Sequence, residues 1–279
     1  MFFDNKYNRI VNLRKFRYNK IIRYNKEVSL LHKEYIRQVE GSDTVVLFIH
    51  GILGSPDMFK EYISNMPEQW SVYNILLDGH GKTVKDFAHS SMKKWKRQVD
   101  HTLYELSVKY NKIIIVAHSM GTLLAINSIE KYPTKVKQLF FLAVPLKIFL
   151  RPIAPLTALK VVFEEVSDND LIAVAMRDGF SVKPDKNLFG YITWLPRYME
   201  LFKESRATRK KVGRVDVPCN VYLSKKDDMV SVQGYKYFES NPSVKLTILE
   251  NSLHMYFEDD EMKFLIKEFN EACNRVMNE

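Results

Sequence analysis

The sequence Ala117-His118-Ser119-Met120-Gly121 connects a predicted strand to a predicted helix, and the rest of the chain is interpreted from it. An apolar, β-branched run at residues 112–116 precedes it, as in a buried parallel strand. A helical pattern of apolar residues follows at once, so Ser119 falls on the turn between the two elements. A serine on such a turn, with small residues two positions before and after, is typical of a nucleophile elbow, whose strained backbone tolerates only small neighbours. A serine here is also a common helix N-cap, and this stretch alone leaves both interpretations open.

Strand-like and helix-like segments alternate on both sides of this turn. Strands are predicted at residues 35–39, 44–49, 72–77, 112–116, 136–144, 217–223 and 244–249, and helices at 57–66, 91–110, from the turn to about 132, 233–240 and 259–277. This order predicts an α/β fold with a doubly wound, mostly parallel sheet, whose ligands bind at the carboxyl ends of the strands. Residues 146–215 hold helical segments and prolines without a clear strand, so we expect a core of residues 35–145 and 216–279 with an inserted helical cap.

A serine nucleophile needs a general base, and the base needs a carboxylate that orients it. Among the seven histidines, His254 alone follows the last predicted strand, where a loop places its ring at the same edge of the sheet as Ser119. The preceding strand ends before two adjacent acids. Asp227 is our choice for the orienting carboxylate and Asp228 the alternative, the other being an exposed turn acid or a helix cap.

Hydrolysis of an acyl compound also requires donors for a negatively charged oxygen. The backbone N–H of Met120, at the start of the helix, is one candidate, because the turn and the helix dipole direct it at the site. The second is the N–H of Ile52, in the loop after the strand at residues 44–49. His118 and His80 are interpreted as structural, since neighbours on a tight turn point apart and glycines flank His80.

Together these motifs resemble one known superfamily. The segments His50-Gly51-Ile52-Leu53-Gly54, Asp78-Gly79-His80-Gly81 and residues 117–121, followed by Asp227 and His254, are similar to the α/β-hydrolases, especially bacterial carboxylesterases and monoacylglycerol lipases with a small cap. The resemblance covers residues 35–279 and implies a cofactor-free serine hydrolase with nucleophile Ser119, acid Asp227, base His254 and oxyanion amides at Ile52 and Met120. Ala117, Thr122 and Ser224 stand where glycine is more frequent in that superfamily, and none of these changes removes a reacting group.

Composition and charge limit the other possibilities. A chain of 279 residues with 46% hydrophobic residues can form a large core, which excludes a disordered protein. No apolar run has the length of a membrane span or of a signal peptide, so we expect a cytoplasmic protein. Two cysteines are too few for a disulfide framework, and no metal, dinucleotide or phosphate-loop motif is present, so no cofactor is expected.

The first 26 residues are strongly basic, with eight Lys or Arg against one Asp, a net charge of +7. Interleaved apolar residues make a weak association with an acidic membrane surface one interpretation, and a solvated extension is the favoured one. Because no nucleic-acid motif accompanies the charge, a nucleic-acid partner is not expected.

The predicted cap carries the substrate hypothesis. Its apolar residues predict a lining for an acyl chain, although packing of the cap on the sheet explains the same residues: Leu146, Ile148, Phe149, Leu150, Ile153, Leu156, Val161, Phe163, Phe189, Trp194, Leu195 and Met199. The expected substrate is a small acyl ester or monoacylglycerol-like molecule. An amidase or peptidase with the same catalytic residues, and a binding protein without activity, are the alternatives.

Overall fold

The structure, a computed structural model, describes residues 32–149, 153–167 and 169–278, without the side chains of residues 153–155 and 171. The basic stretch at residues 1–26 and Leu150 therefore lie outside the described residues. Within the described part, no helix combines the length and the apolar character needed to cross a bilayer.

Seven strands form one sheet in the order β1-β3-β2-β4-β5-β6-β7. The strands are β1 (Tyr35–Arg37), β2 (Thr44–Ile49), β3 (Ser71–Ile75), β4 (Lys112–His118), β5 (Val136–Leu142), β6 (Cys219–Ser224) and β7 (Val244–Leu249). All neighbours are parallel except β1 and β3. The register pairs Ile49 with Ala117 and Ser224 with Leu249, so the loops that follow β2, β4, β6 and β7 leave the sheet at the same edge.

The central strands are buried on both faces because their side chains alternate between two hydrophobic clusters. Ile113, Ile115 and Ala117 of β4 pack in one cluster, whereas Ile114 and Val116 pack in the other. Such runs, apolar at consecutive positions, are what a parallel sheet covered by helices on both faces requires.

Helices cover both faces of this sheet. The α-helices are α1 (Lys60–Asn65), α2 (Val84–Ala88), α3 (Met92–Lys109), α4 (Met120–Ile129), α5 (Ile153–Val162), α6 (Leu171–Gly179), α7 (Leu195–Thr208) and α8 (Asp259–Met277). Short 3-10 helices occupy Pro56–Phe59, Leu188–Trp194, Val212–Arg214 and Val232–Tyr237. The predicted α/β class with a doubly wound, mostly parallel sheet is confirmed. Residues 146–215, called the cap segment below, contain α5, α6, α7 and two of the 3-10 helices.

Strand β1 does not pair with β2, the next strand in the chain. Residues 35–39 and 44–49 are predicted as consecutive strands joined by a turn, and the structure places β1 beside β3 instead of β2. The two edges of β2 are taken by parallel pairing with β3 and β4, so β1 can join the sheet only at its outer edge. It pairs antiparallel with β3 and is the edge strand on that side of the sheet.

Candidate active site

Ser119 lies on a strained turn between β4 and α4. Its backbone angles, φ 50° and ψ −123°, fall where residues with a side chain are uncommon and cost about 1–3 kcal/mol. The turn is held because the Ser119 N–H donates to Leu142 O at 2.9 Å, and the Thr122 N–H donates to Ser119 O at 2.9 Å. Ser119 occupies the N-cap position of α4, but its hydroxyl accepts no hydrogen bond from the first turn, so this serine does not cap the helix through its side chain.

Glycines on two segments let the backbone approach this turn. A Cβ atom on Gly121 would lie 2.2 Å from Ile49 O and 2.8 Å from His50 O, well inside van der Waals contact. A Cβ on Gly51 would lie 2.8 Å from the Ser119 Cβ. The loop after β2 therefore packs directly against Ser119, and these two positions accept only glycine without rearrangement.

The His254 ring joins Ser119 to Asp227. His254 Nε2 lies 3.0 Å from Ser119 Oγ, and His254 Nδ1 lies 2.9 Å from Asp227 Oδ2. All three residues are almost completely buried. Asp227 and His254 are predicted at the exits of consecutive strands, and the parallel register of β6 and β7 brings these exits together with the end of β4.

The two adjacent acids have different tasks. Asp227 Oδ1 accepts the N–H groups of Met229 and Val230 at 2.8 and 2.7 Å, which leaves Oδ2 to face the ring. Asp228 Oδ1 instead accepts the backbone N–H of His254 at 3.1 Å. Asp228 is therefore neither an exposed acid nor a helix cap: it fixes the main chain of the loop that carries the histidine.

His254 and Asp227 each stabilise the charged form of the other. Burial of His254 opposes its protonation, but the neighbouring Asp227 carboxylate outweighs burial and raises the pKa of His254 above its ordinary value. Burial of Asp227 acts in the opposite direction to His254 and the backbone N–H groups of Val230 and Met229, and the net pKa of Asp227 is lowered. Asp227 is thus a carboxylate at neutral pH, and its Oδ2 accepts a hydrogen bond from the Nδ1–H of the ring.

Two further histidines, His50 and His80, fix the loop after β2. His50 Nε2 accepts the Leu77 N–H at 3.0 Å, and His80 Nε2 accepts the Leu53 N–H at 3.1 Å. These bonds require both rings to be neutral, with the remaining proton on Nδ1. Burial lowers the pKa of His50 well below its ordinary value and lowers the pKa of His80 to about 4, so both rings are neutral at neutral pH. The glycines of this motif were recognised from sequence. The hydrogen bonds by which each ring accepts an N–H group of the other loop were not predicted.

His118 holds the loop that carries His254. Its Nε2 lies 2.9 Å from the carbonyl oxygen of His254, so this nitrogen carries the proton and donates it. Burial lowers the pKa of His118 to about 3, which keeps the ring neutral. It is not placed to act on the Ser119 hydroxyl.

Glu261, in the first turn of α8, was not predicted as a site residue. Its Oε1 accepts the N–H groups of Glu250 and Asn251 at 2.7 and 2.9 Å, and its Oε2 accepts the Ser252 N–H at 2.8 Å. These bonds fix the start of the loop that ends at His254. The only sequence signal is an acidic cluster at a helix start, which ordinarily indicates no more than a favourable interaction with the helix dipole.

The two predicted oxyanion donors belong to the residue after Ser119 and to the residue after Gly51. Met120 follows Ser119 directly as the first residue of α4, and Ile52 follows Gly51, the residue that packs on Ser119. The N–H groups of Leu53 and Gly54 donate to His80 Nε2 and Gly51 O. In the described part of the chain, the Ile52 N–H has no protein acceptor, which leaves it available to a ligand.

The cap segment contacts the loops beside this group of residues. The Ser181 N–H donates to Leu53 O at 2.8 Å, and the Lys183 N–H donates to Lys82 O at 2.9 Å. A Cβ on Gly179 would lie 2.8 Å from Met255 Cε, so the end of α6 packs on the residue next to His254. A narrow cleft beside this contact is lined by Ile172, Ala175, Met176, Asp228, Met229, Leu253, Met255 and Tyr256.

In the described ranges, no group of three or more His, Cys, Asp or Glu side chains is arranged to hold a metal ion. Cys219 and Cys273 are buried and unpaired with each other.

The sheet topology, the serine on its strained turn and the acid and histidine at the exits of β6 and β7 define a protein of the α/β-hydrolase fold. Residues 40–261 match the family described as serine aminopeptidase, S33, and the chain belongs to this family of serine hydrolases. No curated protein matches the sequence.

Solved structures with the same fold include three enzymes of low identity. One of two metagenome-derived lipolytic enzymes, LipS and LipT, is 17% identical, with a TM-score of 0.67 over 88% of this chain and 98% of that chain. The monoacylglycerol lipase of Paleococcus ferrophilus is 16% identical, with a TM-score of 0.58 over 87% of this chain and 99% of that one. A carboxylesterase of the thaumarchaeon Nitrososphaera gargenis is 16% identical, with a TM-score of 0.58 over 88% and 93%. The likeness to these structures is a likeness of fold.

Proposed function

We propose that this protein hydrolyses carboxylic esters through an acyl-enzyme, with Ser119 as nucleophile, His254 as general base and Asp227 as the orienting acid. The observation that carries the proposal is the continuous contact from Ser119 Oγ to His254 Nε2 at 3.0 Å and from His254 Nδ1 to Asp227 Oδ2 at 2.9 Å. A serine held at φ 50° in this contact is poorly explained by packing alone, because an ordinary loop would relax the strain.

In the first step, His254 Nε2 takes the Ser119 proton as Ser119 Oγ bonds to the ester carbonyl carbon. The imidazolium is stabilised by the Asp227 carboxylate, the same interaction that raises the pKa of His254. His254 then returns the proton to the leaving alcohol as the carbonyl–oxygen bond breaks. Water repeats the sequence on the acyl-enzyme and releases the acid.

The tetrahedral oxygen of each step is assigned to the N–H groups of Ile52 and Met120. Loss of one such donor typically raises the barrier by about 3 kcal/mol. Support for Ile52 comes from its N–H, which has no acceptor among the described residues. The turn around it is fixed, because the Leu53 N–H donates to His80, the Gly54 N–H donates to Gly51 O and the Ser181 N–H donates to Leu53 O. Since both donors are backbone groups, substitutions at these positions test pocket shape and not the donors themselves.

Apolar side chains beside His254 support an ester with an apolar acyl or alcohol group, and the closed cleft there, of about 10 Å³, would open for it by movement of its lining. Met176, Met229 and Met255 line it, and flexible thioether side chains adapt to ligands of different shape. We assign residues 35–145 and 216–279 to the catalytic core and the cap segment to substrate choice. A series of p-nitrophenyl esters of increasing acyl length checks this assignment, and a preference for acetate over longer chains would contradict it.

The decisive test is labelling with a fluorophosphonate probe. Wild-type protein should be labelled, and Ser119→Ala should lose both the label and the hydrolysis of p-nitrophenyl butyrate, with kcat lower by about a million-fold. Ser107→Ala, a substitution of a half-buried serine on α3, is the matched control and should keep both. A folded wild-type protein without label would favour the binding-protein alternative.

The family description favours one other candidate, cleavage of aminoacyl amides. The same serine, histidine and acid would serve, because only the leaving group differs. Comparison of kcat/KM on aminoacyl p-nitroanilides and on p-nitrophenyl esters separates the two candidates. A higher value on the anilides would replace the ester proposal.

A further inference from the structure

The cap segment carries an unusual concentration of exposed apolar side chains. Of the seventeen large hydrophobic residues exposed in the described part of the chain, ten lie in the cap segment. Six lie on the 3-10 helix at Leu188–Trp194 and on α7, where residues 195, 199 and 202 share one side of the helix by their spacing, and together they are called the outer cap face here: Leu188, Phe189, Ile192, Leu195, Met199 and Phe202. Phe189 is 81% exposed and Met199 is 70% exposed, so packing within the fold does not explain them.

The two helices that carry this face are attached to the core by other side chains, which point inward. The Trp194 ring packs on Phe87 at 4.8 Å between centroids and its Nε1 donates to Val84 O at 3.0 Å. Asn127 Nδ2 of α4 donates to Thr208 Oγ1 of α7 at 2.9 Å. The outer cap face is therefore a fixed platform of the folded chain.

Charge is distributed unevenly around this platform. Residues 183–211 contain eight Lys or Arg against three Asp or Glu, a net charge of +5. The remaining residues from 32 to 279 contain 26 Lys or Arg against 28 Asp or Glu, a net charge of −2. The basic character of the described chain thus belongs to the segment that bears the apolar face.

The carboxylates of α7 are turned away from the face. Glu204 pairs with Lys96 Nζ at 2.7 Å, and Glu200 Oε2 accepts the Met92 N–H at 2.9 Å, both toward α3. Lys203 and Arg206 are exposed, and Arg206 follows Phe202 and Met199 at helical spacing. The outward surface therefore combines apolar side chains with cations and with few anions.

We propose that the outer cap face docks on an anionic lipid surface, with Phe189, Ile192, Leu195 and Met199 entering the acyl boundary and the flanking cations contacting headgroups. Such a combination of one apolar face with Lys and Arg beside it is what an interfacial helix presents. Each cation near an anionic leaflet contributes a favourable term, so the charge is complementary to this occupant.

Other occupants fit less well. A second copy would bring +5 against +5 in a two-fold contact, and the chain's own first 26 residues carry +7, so like charges oppose both. Protein interfaces are enriched in Tyr and Trp and depleted of Lys. Here Trp194 and Tyr191 pack against each other at 4.7 Å between centroids, and Trp194 is buried.

The test is co-sedimentation of the full chain with vesicles of phosphatidylcholine, alone or mixed with phosphatidylglycerol. Wild type should bind the mixed vesicles and release at high salt. Phe189→Ser with Met199→Ser should lower the partition coefficient by about tenfold or more. The matched control is Tyr104→Ser with Val108→Ser, which removes two large exposed side chains, 60% and 72% exposed, from α3 and should change little.

A second pair tests the charges. Lys203→Gln with Arg206→Gln should lower binding by about 25-fold, at about fivefold for each cation, and Lys263→Gln with Lys267→Gln on α8 is the control. Ser119→Ala should bind as wild type, so failure of the ester proposal leaves this test intact.

Three results would overturn the lipid assignment. The first is no binding of wild type to anionic vesicles, and the second is undiminished binding of the Phe189 and Met199 variant. The third is a dimer of wild type in light scattering that this variant abolishes, which would give the face to a second copy.

Discussion

Asp227→Asn should lower kcat/KM by about 10⁴-fold, because the structure dictates how the new amide would sit. Asp227 Oδ1 accepts two backbone N–H groups, from Met229 and Val230, so the amide oxygen must take that place. The NH2 group is then left at the position of Oδ2, 2.9 Å from His254 Nδ1. A donor there forces the ring proton onto Nε2, which faces Ser119 and can no longer accept its proton. The equivalent change in serine proteases costs about 10⁴-fold, or about 5.5 kcal/mol of barrier.

Asp228→Asn is the matched control, one residue away and equally buried. Its amide oxygen can still accept the His254 N–H, so we expect a loss below about tenfold, or about 1.4 kcal/mol. The assay is hydrolysis of p-nitrophenyl butyrate by both variants, with circular dichroism to verify folding. A greater loss in Asp228→Asn than in Asp227→Asn would refute the assignment of the acid.

The same pair of variants reports on pH. Hydrolysis needs a neutral His254, so kcat/KM of wild type should fall as the pH drops through the raised pKa of this ring. Asp227→Asn removes the carboxylate that raises this pKa, and the fall in its residual activity should move to lower pH. A fall at the same pH in both proteins would show that another group controls the profile.

Three further predictions concern the fold and its buried groups. Gly121→Ala should destabilise the protein by about 1–3 kcal/mol in urea denaturation, because its Cβ would lie 2.2 Å from Ile49 O, whereas Gly213→Ala meets nothing within 4 Å; equal midpoints would contradict the close approach. The free energy of unfolding should decrease as pH falls below about 6.5, because the unfolded chain binds protons that buried His50, His80 and His118 do not, at about 1.4 kcal/mol per pH unit for each. His254, with a raised pKa, acts with the opposite sign, and His80→Gln should reduce the slope measured by urea denaturation at neutral and mildly acidic pH. Iodoacetamide should leave activity unchanged, because both cysteines are buried and burial raises the pKa of Cys273 to about 12; rapid inactivation would show that a thiol becomes exposed.

The parts of the fold that depend on local pattern were predictable from sequence. The β-branched run of β4, the small residues around Ser119 and the position of His254 after the last strand each carry a signal within a few residues. Strands β2 and β7 were predicted with the observed bounds for the same reason. The pairing of β1 was not predictable, because it depends on which edges of β2 are already occupied.

The contacts that give residues of the same type different roles could not be predicted from sequence. Asp227 and Asp228 are adjacent acids, and only the Met229 and Val230 N–H groups, folded back onto Asp227, distinguish them. The apolar pattern of the cap segment also failed to separate its two sides. Residues expected to line an acyl site or pack on the sheet instead face solvent in six cases: Phe149, Leu156, Phe163, Phe189, Leu195 and Met199. Leucine occurs on both sides of α7, at the exposed Leu195 and the buried Leu201, so residue type alone does not indicate the direction.

Leu53 is held from both sides by different parts of the chain. Its N–H is bound by His80 of the core, and its carbonyl oxygen by the Ser181 N–H of the cap segment. Leu53 has φ 58°, so these bonds maintain a backbone conformation that it would not adopt freely. The cap is therefore not an exchangeable module. A chimaera with a foreign cap must present a backbone donor at the place of Ser181, or the peptide next to Ile52 loses one of its two supports.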